Sequence, residues 1–227
     1  MRIKKGNEAH HSFLHQHCMK EWWPALDTHA QVHQYKKGAI IFKEGDPVNG
    51  IYFMLSGVAK VHKLWDQEKE LILRFAHNHD ILGHRGLSSQ LLQYPITATA
   101  LTPVTLTYIT LDFFEATFKT NKDFAYQFMM FMADELMLSE IRMRNLAHMT
   151  VRARLASALL AMEQKFGKTE SGFIDFTISR QDIAAYVGTA YETVYKTMNE
   201  FTELGYIKTE AKAIALLDKT AIKNAVC

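Results

Sequence analysis

Cysteine is nearly absent: Cys18 and Cys227 stand almost at opposite ends of 227 residues and form no CxxC pair. A thiolate zinc or iron–sulfur site is therefore not expected. Long apolar runs are missing too, the longest being the six residues 128–133, far short of a membrane span. The stretch His10–Lys20 is polar, and no apolar core or small-residue cleavage site follows the basic residues 1–6, so secretion is not indicated. Charge of one sign is also lacking. Against 26 basic side chains stand 24 acidic ones, a net +2, which excludes a histone-like coating of nucleic acid but leaves room for a local basic face. What is present, 48% hydrophobic and 22% charged residues, reads as an ordinary soluble cytoplasmic protein. At about 150 residues per domain the chain holds between one and two domains.

The chain changes character twice. From Val32 to Ile109 it is punctuated and alternating, with Gly at 38, 45, 50, 57, 83 and 86. Ala39–Phe42, Ile51–Leu55, Ala59–Leu64 and Glu70–Phe75 are strand-length and rich in Ile, Val, Phe and Tyr. Turn signals at 44–47, Ser56-Gly57, Asp66-Gln67 and 78–80 separate them. Short strands at this spacing predict a sandwich or jelly roll.

From Leu111 to about Leu146 glycine vanishes and the period becomes helical. Ala125, Met129, Met132, Leu136, Ser139, Met143 and Leu146 repeat at alternating steps of four and three, an a/d seam with only Ser139 polar. Phe124, Phe128, Phe131 and Leu138 form a second stripe on a neighbouring face. One face is expected to pack on the chain's own β-domain and the other on the same helix of a second subunit. The alternative is one long helix buried within a monomer.

The third section, 150–227, carries ten basic and nine acidic residues. It reads as helix, short strand, two capped helices and a final hairpin. Ser179-Arg180-Gln181-Asp182 fits a capping box opening a helix that ends at Gly188, and Thr189-Ala190-Tyr191-Glu192 fits a second, opening a helix closed by Gly205. Two capped helices joined through a glycine turn are a helix-turn-helix signature. Ile183, Ala184, Val187, Val194 and Met198 supply the apolar residues of the crossing. As a reader, the second helix directs its amino-terminal residues to base edges. Glu192, Tyr195 and Lys196 share one face with Tyr191 beside them, and Glu can accept from cytosine while Lys donates to guanine. Ser179, Arg180, Gln181 and Thr189 lie at helix starts suited to phosphate oxygens. Lys212, at the tip of a hairpin wing, is a further phosphate candidate. The bland alternative has Glu192 closing its capping box and Lys196 merely solvated.

Several motifs in order carry a wider resemblance: KKGAIIFKEGDPVNGIYFMLSGVAKV (36–61), ELILRF (70–75), DILG (80–83), TATAL (97–101), VRARLASALL (151–160), ISRQDIAAYVG (178–188) and TAYETVYKTMNEFTELGYI (189–207). From about Tyr35 to Leu217 the chain resembles the cyclic AMP receptor / fumarate–nitrate regulator (Crp/Fnr) family of bacterial transcription factors. The resemblance implies an α+β protein with an amino-terminal cyclic-nucleotide-binding-type β-roll (jelly roll), a long dimerisation helix and a carboxy-terminal winged helix-turn-helix. The corresponding division is a sensor domain with an amino-terminal helical segment (1–110), a dimerisation helix (111–147) and a DNA-binding domain (148–227). The implied partners are a second copy of the chain, with Met129, Met132, Leu136, Ser139, Met143 and Leu146 at the interface, and double-stranded DNA carrying an inverted repeat. RNA polymerase joins them if the protein activates.

The implied effector pocket lies at Gly83, His84, Arg85, Leu87, Ile96 and Thr97, and there the chain departs from the family. Cyclic-AMP-binding members carry an acid after the glycine and an Arg before the later Ala-Thr segment; these positions read His84 and Ile96. A cyclic phosphate with no matched cation would cost several kcal/mol to desolvate, which argues against cyclic AMP in the usual mode. Arg85 is the nearby substitute, although neighbouring residues of a strand face opposite ways. In the reader helix the family's Arg-Glu-Thr-Val becomes Tyr191-Glu192-Thr193-Val194 with Lys196 following, so its half-site does not transfer unchanged. The family's iron–sulfur cysteines are missing. Eleven histidines, with groups at 10–17 and at 77, 79 and 84, leave a haem- or other small-ligand sensor as an alternative, although 77–79 reads as a turn and 10–17 as a surface segment. No metal site is expected. A metal-dependent cupin enzyme is a rival for the His-x-His, but no Glu follows at the required spacing, and the chain is not expected to be an enzyme. The last rival is a ligand-binding regulatory module without DNA binding.

Overall fold

A computed structural model describes residues 12–65 and 69–226. The expected Asp66-Gln67 turn, with His10, His11 and Cys227, lies outside the described residues. The chain forms two compact units, one of Met1–Trp65 with Ile72–Glu135, the other of Asp66–Leu71 with Leu136–Cys227.

In the first unit, α1 (Phe13–His17) and α2 (Trp23–His29) precede strands β1 (Gln31–Tyr35), β2 (Ile40–Phe42), β3 (Gly50–Ser56), β4 (Ala59–Leu64), β5 (Glu70–Ala76), β6 (Ile81–Leu82), β7 (Thr97–Ala100) and β8 (Val104–Thr110). They make two four-stranded sheets, in orders β1-β8-β3-β6 and β2-β7-β4-β5. Strand β3 shows why the sequence folds this way. Its residues alternate between two apolar environments, so it reads as an unbroken apolar run. Met54 joins Phe42, Val61, Ala98 and Leu106 in a core drawn from both sheets. Ile51 and Phe53 face a second core, with Leu14, Leu26, Phe113, Phe124 and Phe128 from the helices.

The uninterrupted helix expected from Leu111 to Leu146 is two helices, α3 (Leu111–Thr120) and α4 (Lys122–His148). Buried Asn121 breaks it, with an extended backbone at φ −106° and ψ 98°. Its side-chain amide donates to the Thr117 carbonyl at 3.1 Å and its Oδ1 accepts from the Met19 amide at 3.1 Å. Short polar side chains that satisfy the backbone in this way compete with the helix. Phe124, Phe128 and Phe131 pack inward as expected, but Leu138, assigned to the same stripe, is exposed.

Within the histidine-rich stretch 10–17, the described part is no surface segment. Ser12, Leu14 and His15 are buried. Ser12 caps α1, and His15 lies between the Ser12 hydroxyl (3.0 Å) and the Asp27 carboxylate (3.3 Å).

The second unit continues α4 and adds α5 (Val151–Phe166), α6 (Arg180–Val187), α7 (Tyr191–Glu203), the hairpin β9 (Ile207–Glu210) and β10 (Ala213–Leu216), and α8 (Lys219–Asn224). Thr150 caps α5 through the Ala153 amide at 3.2 Å. The terminal helix α8 replaces the expected end at the hairpin. Asp218 caps it at 2.9 Å, and its six residues bury only Ile222, too few for a periodic signal. Among the described residues no helix is long and apolar enough to cross a membrane.

Candidate DNA-binding interface

Helices α6 and α7 meet through the three residues 188–190. Gly188 adopts φ +72° and ψ 52°, a left-handed conformation that costs a side-chain-bearing residue roughly 1–2 kcal/mol. Its amide and that of Thr189 both donate to the Ala184 carbonyl, at 2.8 and 3.1 Å, closing α6. Ser179 caps the other end, its hydroxyl accepting from the Asp182 amide at 3.0 Å and donating to the Asp182 carboxylate. That hydroxyl proton is thus used inside the capping box. Ile183, Ala184, Val187, Val194 and Met198 are all buried at the crossing.

The second expected capping box is absent. Helix α7 begins at Tyr191 with Ala190 as its cap and no side-chain capping bond. Thr189 stands one residue too early because its amide already serves the end of α6. Helix α7 buries Val194, Thr197, Met198 and Phe201 and exposes Tyr191, Glu192, Tyr195 and Lys196 on the other face. The rings of Tyr191 and Tyr195 stack at 6.2 Å. Gln181 is exposed and Thr189 half-buried.

In the wing, β9 and β10 pair from Ala213↔Glu210, leaving Ala211 and Lys212 as a two-residue turn with both side chains exposed. Ala211 takes a positive φ of 51°. Arg180 reaches back to brace this turn, donating to the Ala211 carbonyl at 3.4 Å, so its guanidinium is partly committed to the wing.

Two arginines that escaped the sequence reading fix the turn. Arg154 donates to the carbonyls of Met149 (2.7 Å), Val187 (2.9 Å) and Gly188 (3.2 Å). Arg142 donates to the Tyr186 carbonyl and lies 4.4 Å over that residue's ring. Only the RARLA motif hinted at the first, and nothing local indicated its partners. Replacing Arg154 with Ala strands three carbonyls and is expected to cost about 2–4 kcal/mol. Lys, a single-point donor, restores only part of that. Urea unfolding checks this, and an unchanged midpoint in the Ala variant contradicts it.

The structure does not gather the six expected effector residues around one pocket. Ile96 is buried in the core between the sheets, Leu87 packs against the core under the helices, and the Thr97 hydroxyl accepts from the Glu44 amide at 3.0 Å. Gly83, at φ +88°, opens a tight helical turn through His84, Arg85 and Gly86. In that turn His84 and Arg85 point the same way, in contrast to the alternation expected of a strand. Both face Glu135 of α4, Arg85 Nη2 at 3.1 Å and His84 Nε2 at 3.6 Å. Arg74 of β5 joins them, its Nε 3.3 Å from the same carboxylate oxygen. Asp80 lies 3.5 Å from Nη1 of Arg74. Arg74, in a mostly apolar strand, and Glu135, next to Asp134 on a helix, were missed because only the fold shows that they meet. Among the described residues no group of three His, Cys, Asp or Glu side chains is arranged to hold a metal ion.

Burial raises the Glu135 carboxyl, but His84, Arg74 and Arg85 outweigh it and bring the pKa down to about 2. Burial, the largest influence, lowers His84; Glu135 pulls it up, and Arg74 and Arg85 push it down, with a net lowering. A histidine lowered in the folded state binds its proton first when unfolded, so it costs stability as pH falls below its ordinary value of about 6.5. Glu135 contributes stability above its ordinary carboxylate pKa and loses it only as pH falls toward about 2. Melting temperatures between pH 7.5 and 5.5 should therefore fall less for His84→Gln than for the unaltered protein. Identical pH dependence would show that His84 binds its proton equally in the folded and unfolded states, and so is not lowered by folding.

Comparison with known proteins gives this arrangement a class. The cyclic nucleotide-binding domain family matches residues 32–121, and the Crp-like helix-turn-helix domain family matches residues 153–225. The chain is 25% identical over 197 residues to the global nitrogen regulator of Synechococcus elongatus, covering 86% of this chain and 89% of that protein. It is 26% identical over 198 residues to the CRP-like cAMP-activated global transcriptional regulator of Mycobacterium tuberculosis, covering 86% and 87%. The FixK2 structure from Bradyrhizobium japonicum shares the fold with a TM-score of 0.78 at 24% identity, covering 87% of this chain and 98% of that one. These matches define a DNA-binding transcription regulator with an amino-terminal domain of the cyclic nucleotide-binding type. The chain belongs to the Crp/Fnr family.

Proposed function

We propose that the protein is a homodimeric, sequence-specific transcription regulator that reads an inverted repeat with α7 and takes no cyclic AMP in the usual mode. The observation that carries this reading is the two-sided character of α7: Val194, Met198 and Phe201 anchor one face while Tyr191, Glu192, Tyr195 and Lys196 stand free on the other. In this reading Glu192 accepts from a cytosine amino group and Lys196 donates to a guanine. The amide groups around Ser179 and Thr189, with Gln181 and Lys212, hold phosphates, and Arg180 contributes less because it braces the wing.

Dimerisation is supported by the other face of α4. Leu136 (62% exposed), Met143 (60%), Met129 (54%) and Met132 (36%) form an apolar row on a single helix, with Ser139 and Leu146 half-buried along the same seam. An apolar patch of this kind on a monomer marks an interaction surface. Against cyclic AMP stands the absence of a cation at Ile96, which is enclosed in the sheet core, and the engagement of Arg85 with Glu135.

A gel shift against genomic fragments at two salt concentrations tests the reading. Discrete shifted fragments that survive at about 0.2 M salt support it, because nonspecific phosphate contacts weaken steeply there. Uniform retardation of all fragments, or none, favours a ligand-binding module without sequence-specific DNA binding.

A further inference from the structure

The polar cluster beneath α4 is unbalanced in donors and acceptors. Three nitrogens, Arg74 Nε, Arg85 Nη2 and His84 Nε2, face one oxygen, Oε2 of Glu135. Only Arg85 is placed to make a hydrogen bond to it, at 3.1 Å. Arg74 Nε, Arg85 Nε and His84 Nε2 are buried without a hydrogen-bond partner, a costly arrangement for polar atoms. His84 is only 2% exposed and its tautomer is fixed. Its Nδ1 lies 3.1 Å from the Ile81 carbonyl, which can only accept, so the proton sits on Nδ1. In the neutral ring Nε2 therefore offers a lone pair. At 3.6 Å it faces a carboxylate, which also has only lone pairs to offer. Burial lowers the pKa of the ring and so favours its neutral form. Beside the Asp80 carboxylate, which pairs with Nη1 of Arg74, the cluster thus holds two guanidinium donors and the Nε2 acceptor, and the Glu135 carboxylate complements only the donors.

We propose that Arg74, Arg85 and Nε2 of His84 form a site for a hydrogen phosphate group, held closed by the Glu135 carboxylate of α4. A hydrogen phosphate accepts from both guanidinium groups and donates its P–OH to Nε2. Sulfate at neutral pH has no proton to give, and neither has a cyclic phosphodiester. The chemistry selects free phosphate, or the singly ionised form of a phosphate monoester that predominates only below about pH 6, over the family's cyclic nucleotides. Displacing Glu135 frees a side chain by which α4 is tied to the sheets, so occupancy at the site and the position of α4 are linked. The site belongs to the sensor domain of the regulator proposed above. Its test uses no DNA, so its failure leaves the DNA-binding reading intact.

Calorimetric titration of the full-length protein with inorganic phosphate, sulfate, AMP and cyclic AMP tests the site in four forms: unaltered, Glu135→Ala, Glu135→Gln and Glu135→Ala with Arg85→Ala. The Ala variant should bind phosphate with a dissociation constant of about 1 mM or tighter. It should prefer phosphate at least about tenfold over sulfate and over cyclic AMP, roughly the value of one well-placed hydrogen bond. The unaltered protein should bind phosphate at least about tenfold more weakly than the variant, and removing Arg85 should abolish the gain. The Gln variant keeps the side-chain shape, and a phosphate-dependent rise in its melting temperature gives a second readout. AMP binding as tightly as phosphate assigns the site to monoesters, and phosphate alone assigns it to the free anion. No binding to either Glu135 variant overturns the proposal. So does equal affinity for sulfate, equal affinity in the unaltered protein, or binding that survives loss of Arg85.

Discussion

Replacing both Met132 and Leu136 with Asp should turn the protein into a monomer and lower its affinity for an inverted-repeat site by about 10²–10⁴-fold, the advantage of linking two binding events. The two residues stand four apart, on one face of α4, and both are exposed. In a monomer two new carboxylates there would meet only water and cost little. In the proposed dimer they would meet their own copies across the twofold axis, buried and like-charged, which is far costlier than losing two apolar contacts. The substitutions therefore separate the two states sharply. Sedimentation velocity should show half the mass and circular dichroism an unchanged helix content. A dimer that persists would place the interface elsewhere than on this seam.

Lys196→Ala should relax the preference at one base pair of each half-site, and Glu192→Ala at another, by about 1–3 kcal/mol per half-site. Both side chains are exposed on α7 and away from its buried face. Glu192 is also relieved of capping duty, since the cap is Ala190 without a side-chain bond. Lys212→Ala should instead weaken all sites alike and reduce the salt dependence by about one phosphate contact. Competition binding with single-base variants of a selected site distinguishes the patterns. If Lys196→Ala weakens every sequence equally, Lys196 holds a phosphate and specificity rests on other residues.

Much of this architecture was legible in the residues because strong local rules governed it. The glycine-punctuated strands from Ile40 to Thr110, the Ser179 cap, the left-handed Gly188 and the hairpin around Ala211-Lys212 each follow from a few neighbouring side chains. Where partners distant in sequence decided the outcome, the reading failed. Asn121 breaks the helix partly through the amide of Met19, 102 residues earlier. His15 is buried because Ser12 and Asp27 satisfy its ring, so a polar stretch that looked solvated enters the interior. The second capping box failed for a local reason, competition for the Thr189 amide between the end of one helix and the start of the next. Around Gly83 the direction of His84 and Arg85 was misjudged, because Gly83 replaces strand alternation with a helical turn. Glu135 and Arg74 could be recognised only once β5 and α4 were brought together.

The small net charge of +2 gains meaning from this arrangement. Affinity without sequence selectivity scales with the number of phosphates neutralised, and this chain has few surplus cations to spend on them. In the proposed dimer, recognition then depends on two symmetric readers acting together. The most direct test is selection of bound sites from random double-stranded DNA by the purified full-length protein. The account predicts enrichment of an inverted repeat whose half-sites are centred one helical turn apart, about 34 Å, or a multiple of it. Enrichment of a single unpaired half-site, or of no sequence at all, would contradict it.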